Sequence, residues 1–124
     1  MGILDQQVGG NHYKGLVYQP VAFATDTKMN FIQGSIIKYV SRFKNKNGRE
    51  DLDKARHFAK LGMALNPHNF VRRSDAMKVA KDYCTKNSFS KDIENIVYST
   101  LVQNWTGVVF NIVILQTKEY EQNS

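Results

Sequence analysis

Residues 30–65 read NFIQGSIIKYVSRFKNKNGREDLDKARHFAKLGMAL, and this stretch decides the fold. Ile32, Ile36, Ile37, Val40 and Phe43 recur at three- and four-residue spacing, which makes one apolar stripe on a helix of about residues 30–46. Asn30 stands where an N-cap is wanted. Asn45 to Gly48 breaks the period, and Gly48 supplies the positive φ that ends a helix. A second stripe, Leu52, Ala55, Phe58 or Ala59, Gly62 and Leu65, marks a second helix over about 50–65. Glu50, Asp51 and Asp53 lie in its first turn, where negative charge complements the helix dipole. So short a break predicts an antiparallel helical hairpin.

Outward from the hairpin the chain stays helical in pattern. Residues 1–18 read as an irregular arm punctuated by Gly9, Gly10 and Gly15. Pro20 suits the first turn of a short helix to about Thr25 that buries Val21, Phe23 and Ala24 in part. Beyond Asn66-Pro67, Ser74 is expected to cap a helix to about Thr85, with Met77, Ala80 and Cys84 or Tyr83 inside. Ser90 caps the next, which carries Ile93, Ile96, Val97, Leu101 and Val102. The β-branched run from Val108 to Ile114 favours strand by propensity. A lone strand has no partner, however, and the polar residues up to Tyr120 make the segment too long, so helix is the reading. That helix is apolar nearly all round, which predicts deep burial or an oligomer interface. The expectation is one all-α domain over residues 1–124: an arm (1–18), a basic helical hairpin core (19–65) and a helical extension (74–122).

The composition limits function. A chain of 124 residues with 42% hydrophobic residues can bury one modest core. The net charge of +6 favours anionic partners such as nucleotides, nucleic acid or acidic proteins. One cysteine, Cys84, rules out an internal disulfide and fits a reducing cytoplasm. The start MGILDQQVGG lacks the pattern of a signal peptide, and no apolar run is long enough to span a bilayer, so no membrane partner is expected.

Familiar catalytic signatures do not occur. There is no GxxxxGK[ST] loop, no GxGxxG after a strand, no HExxH and no paired Cys/His spacing for zinc. What stands out is a run of cations. Lys38 and Arg42 are one helical turn apart, Lys44, Lys46 and Arg49 continue through the break, and Lys54, Arg56 and Lys60 follow. The break NKNGRE promises backbone N–H groups for an anion at the start of the second helix, and Tyr39 offers an aromatic face. By spacing alone these cations fit a solvated surface better than a site, and Glu50 with Lys54 fits an ordinary i,i+4 pair. Asp51 and Asp53 can hold Mg²⁺ beside a phosphate, or simply serve the helix dipole. His57 lies beside the apolar stripe and reads as a packed histidine, and Trp105 as a core or interface anchor.

Residues 8–65 resemble a phage protein family. The shared pattern has a His-Tyr-Lys start, a Gln-Pro helix opening and then GxxIKYVxRxKxKxGxEDLxKAxxY. Here it is met by His12-Tyr13-Lys14, Gln19-Pro20, Gly34, Ile37-Lys38-Tyr39-Val40, Arg42, Lys44, Lys46, Gly48, Glu50-Asp51-Leu52 and Lys54-Ala55. His57-Phe58 departs from the single aromatic expected after the Lys-Ala pair. The family includes a small deoxynucleoside monophosphate kinase without a P-loop, and many members without an assigned function. The resemblance implies a nucleotide ligand, with Lys38, Arg42, Lys44 and Lys46 on the phosphates. Asp51 and Lys54 lie in the same frame. His12, Tyr13 and Lys14 would fold over the nucleotide, with Tyr13 or Tyr39 on the base. A helical chain of 124 residues makes a shallow pocket alone, so a homo-oligomer with the site near a subunit interface is expected. The expected place is the cytoplasm of an infected bacterium, with no obligatory cofactor and with Mg²⁺ as companion to a nucleotide. Three activities fit: a nucleotide kinase; a non-catalytic anti-defence protein that sequesters nucleotide immune signals or inhibits a host defence protein; and a nucleic-acid-binding accessory protein. No catalytic residue can be named.

Overall fold

A computed structural model describes residues 15–45, 47–66 and 73–121. Among them are six α-helices and no strand: α1 Pro20–Asp26, α2 Phe31–Arg42, α3 Arg49–Leu65, α4 Ala76–Lys86, α5 Lys91–Leu101 and α6 Trp105–Gln116. The expected all-helical class is what the structure shows. The last turn of the first hairpin helix tightens to a 3-10 turn, Phe43–Asn45, and α6 runs on into one π-helical turn, Thr117–Glu121.

The helix ends follow local chemistry. Asn30 accepts from the Gln33 N–H at 2.8 Å while the Gln33 side chain accepts from the Asn30 N–H at 2.9 Å, a complete capping box at the start of α2. Ser90 and Asn104 cap α5 and α6 with their side chains. Gly48 has φ of +56°, the conformation the break requires. The α4 start differs from expectation. Asp75 rather than Ser74 holds the N-cap position, and its side chain makes no capping bond.

Helices α2 and α3 lie antiparallel. Helix α1 packs on α2, α6 on α3, α5 on both α6 and α2, and α4 on α5. One buried cluster therefore runs through both halves, from Phe23, Ile36, Ile37, Val40, Leu52 and Ala55 to Ile96, Val97, Val108 and Ile112. Gly62 is needed where α3 meets α6. A Cβ there would stand 2.5 Å from the Trp105 ring, whose Nε1 donates to the Asn66 carbonyl at the end of α3. Gln33 ties α2 to α5 by donating to the carbonyls of Thr100 and Leu101.

Four expected core residues lie outside the core. Val21, Leu65 and Met77 are exposed, and His57 is exposed as well, with its ring edge-on to Phe58. In each case the helix stripe proved narrower than the apolar residues available to fill it. Helix α6 is buried along one side, at Trp105, Val108, Ile112 and Leu115, while Phe110 and Val113 on the other side are exposed.

Candidate functional site: a cation-ringed tyrosine on the hairpin

Tyr39 is half-buried on α2, one turn before Arg42 and beside Lys38. Helix α3 brings Lys54 and Phe58 to the same ring. The Lys38 ammonium lies 5.3 Å from the ring centroid, the Arg42 guanidinium carbon 4.8 Å and the Lys54 ammonium 5.6 Å. Three cations that would repel one another in water are thus gathered by one electron-rich ring. Phe58 lies nearly parallel to Tyr39 at 6.0 Å, and Phe31 meets Phe58 edge-on at 5.9 Å. Phe31 is 79% exposed, so the row of rings ends at the surface.

The three cations are not equivalent. Arg42 is forked onto Asp51, with Nε 3.3 Å from Oδ2 and Nη2 3.2 Å from Oδ1. Asp51 is fully buried, and it also accepts from the Asn47 N–H at 3.2 Å. Sequence alone leaves Asp51 as a dipole partner or a metal ligand. The fold makes it a buried counter-charge that clips the end of α2 to the start of α3. Lys54 reaches Glu50 at 3.7 Å on the exposed surface. Lys38 is exposed and has no carboxylate partner among the described residues.

The amides expected to wait for an anion at NKNGRE are largely used internally. Gly48 N–H donates to Phe43, Glu50 N–H to Asn47, and Asp51 N–H to Gly48, while Asn47 N–H goes to the Asp51 carboxylate. The Asp51 side chain and the tight turn satisfy donors that a helix start otherwise leaves orphaned.

Lys44 does not join the Tyr39 group. It pairs with Glu119 at 3.3 Å, and Arg49 pairs with Glu121 at 2.8 Å. Between these acids Tyr120 lies over the turn, its hydroxyl 3.3 Å from where a Cβ on Gly48 would stand. Burial raises the Tyr120 phenol above its ordinary range, helped by the charges of Glu119 and Asp51. The expected run of cations is therefore split in two: Lys38, Arg42 and Lys54 around Tyr39, and Lys44 with Arg49 under the C-terminal turn. His12, Tyr13, Lys14 and Lys46 lie outside the described residues. Sequence reasoning missed Phe31, Phe58, Glu119 and Glu121. An aromatic one turn after Lys54 was the signal for Phe58, whereas nothing local tells that the C-terminal acids reach the turn.

No group of three or more His, Cys, Asp or Glu side chains suited to a metal occurs among the described residues, and no described helix is long and apolar enough to cross a membrane. A family described as a protein of unknown function, DUF3310, matches residues 9–60. The match takes in α1, α2 and most of α3, including Lys38, Tyr39, Arg42, Asp51 and Lys54, and leaves α4 to α6 outside it. No curated protein and no solved structure matches the chain.

Proposed function

We propose that the protein binds a nucleotide on the outer face of the α2–α3 hairpin. The observation that carries this is the convergence of Lys38, Arg42 and Lys54 on Tyr39 beside the Phe58 and Phe31 rings. Phosphate needs cations held close together, and a base needs a flat apolar surface; this face offers both side by side. Lys38 and Lys54 present ammonium groups to the phosphates. Arg42, fixed by Asp51, acts as a positioning residue that keeps positive charge beside Tyr39. Phe58 and Phe31 offer the stacking surface, while Tyr39 serves mainly as the anchor of the cations. The family resemblance supports the same ligand class and adds phosphoryl transfer as the finer reading, in which positioning and charge neutralisation do the catalytic work.

Calorimetric titration of the full chain with a panel of deoxynucleoside mono- and triphosphates tests the binding claim. Binding that is lost on Lys38→Ala/Lys54→Ala supports it; a panel without any heat, or binding indifferent to both substitutions, sinks it. Incubation with a nucleoside triphosphate and each monophosphate, followed by chromatography of the products, tests turnover. Binding without products leaves the sequestering role and removes the kinase. The exposure of Phe31 at the end of the ring row favours a second reading, single-stranded nucleic acid laid along the face. Affinity for an oligonucleotide that falls steeply with salt supports that reading, and a flat or absent curve removes it.

A further inference from the structure

A cavity of about 220 Å³ opens between the end of α2 and the turn joining α4 to α5, and none of Lys38, Tyr39 or Lys54 takes part in its wall. Its floor is apolar: Val40 and Phe43 come from the hairpin, Phe89 and Ile93 from the second half of the chain. Leu16 closes one side just ahead of Tyr18, whose backbone N–H and carbonyl are both bonded to the Asn87 side chain. The cavity is thus built by two distant parts of the sequence and the last residues before α1.

Its polar groups divide into spent and available. Ser41 shares a 2.7 Å hydrogen bond with Tyr83, Asn87 holds Tyr18, and Ser90 caps α5. The side chains of Asn45 and Ser88 carry no hydrogen bond among the described residues. Among the described residues Lys44 is the one charged residue of the wall. Its side chain is 63% exposed, and Glu119, which is not part of the wall, holds its ammonium at 3.3 Å. An exposed pair of this kind is weak, so another anion can replace the carboxylate at little cost.

We infer that this cavity is a second ligand site, for a small molecule with one flat apolar ring and a single anionic head. The ring lies against Leu16 and Phe89, with the buried Val40, Phe43 and Ile93 beneath them, the head meets Lys44 at the mouth, and Asn45 and Ser88 supply hydrogen bonds beside it. Glu119 is the internal competitor for the Lys44 ammonium. The volume sets the size: it is below the roughly 300–1,000 Å³ of sites for drug-sized ligands, which suits a single ring rather than a whole nucleotide. Lys44, the one cation among the described residues of the wall, sets the charge.

Phenyl phosphate titrated into the full chain tests this, read by the methyl signals of Val40 and Ile93 and the amide signals of Asn45 and Ser88. Both methyls are expected to shift. Glu119→Gln should tighten binding roughly threefold and Lys44→Met weaken it roughly fivefold, as removal of one exposed charge interaction allows. Tyr39→Ala should leave the cavity signals and their midpoint unchanged, so this site and the hairpin face stand or fall separately. Three results overturn the inference: methyls that do not move, a midpoint indifferent to both Lys44→Met and Glu119→Gln, or shifts confined to Tyr39 and Phe58.

Discussion

The outer face of the hairpin and its turn carry the same kind of residue and treat it in opposite ways. On the face, Lys38, Arg42 and Lys54 are drawn together by an aromatic ring, and Lys38 meets no acid among the described residues. At the turn, Lys44 and Arg49 are each matched by a glutamate from the end of the chain. Between the two lies the buried Arg42–Asp51 pair, which belongs to both. A cation over a ring keeps its full charge for a ligand, because the ring supplies attraction without a countercharge. A cation matched by a carboxylate has its field largely cancelled. On the face Lys38 is clear of any acid among the described residues and Lys54 meets only the exposed Glu50, while Arg42 is matched by Asp51, so the face binds an anion directly through Lys38, and the turn only by displacing an internal one.

The largest test of this contrast is the boundary itself. Asp51→Ala leaves Arg42 without its buried partner and the Asn47 N–H without its acceptor, and is expected to cost about 3–5 kcal/mol in urea unfolding. A loss under about 1 kcal/mol would mean that the pair does not hold the hairpin together. Next, Tyr39→Ala removes the ring that gathers the cations. Nucleotide affinity is expected to fall up to about tenfold by calorimetry, in line with about 0.5–2 kcal/mol for a cation held over a ring. Unchanged affinity would take the Tyr39 face out of the ligand site. The smallest effect lies at the turn: Arg49→Ala should alter stability by no more than about 1 kcal/mol, since Arg49 and Glu121 are both about half exposed. A larger loss would show that the C-terminal turn is a structural clamp and would erase the contrast.

Alkaline pH separates the regions in another way. The Tyr120 phenol is raised in the folded chain, so its contribution to stability is complete below the ordinary phenol range and is lost as pH rises through the raised value. Tyr120, now charged, would face Glu119 and Asp51, and the C-terminal turn should loosen first. Beyond the base-catalysed rise common to all amides, exchange around Gly48 and Tyr120 is expected to quicken above about pH 10, before that around Lys38. Uniform behaviour at both places would contradict this. Cys84 is a control away from both: burial pushes its thiol up to about 12, with the Glu94 charge adding to the rise and Lys91 opposing it, so a thiol reagent should leave it unmodified at pH 8 until the chain is unfolded.

The legible part of the site is the part written within one helix or one turn. Lys38, Tyr39 and Arg42 share a short stretch of α2, and the period of Ile36, Ile37 and Val40 fixes which way they face. Phe58 was half-legible, because at the α3 stripe it competes with Ala59. The first-turn place of Asp51 was legible, but its burial was not, for a physical reason. An acid in the first turn of a helix usually stays in water with the dipole, and only the return of α2 supplies a guanidinium that lets a carboxylate be fully buried.

By itself the sequence determined the helices, their capping at Asn30 and Ser90, the break at Gly48 and the hairpin, because periodicity and caps act over a few residues. Tertiary structure alone decided which cations gather and which are cancelled, that Trp105 seats on Gly62, and that Glu119 and Glu121 return to the turn about 70 residues upstream. Charge pairing and ring contacts depend on distance in space, and the chain states only order along its length.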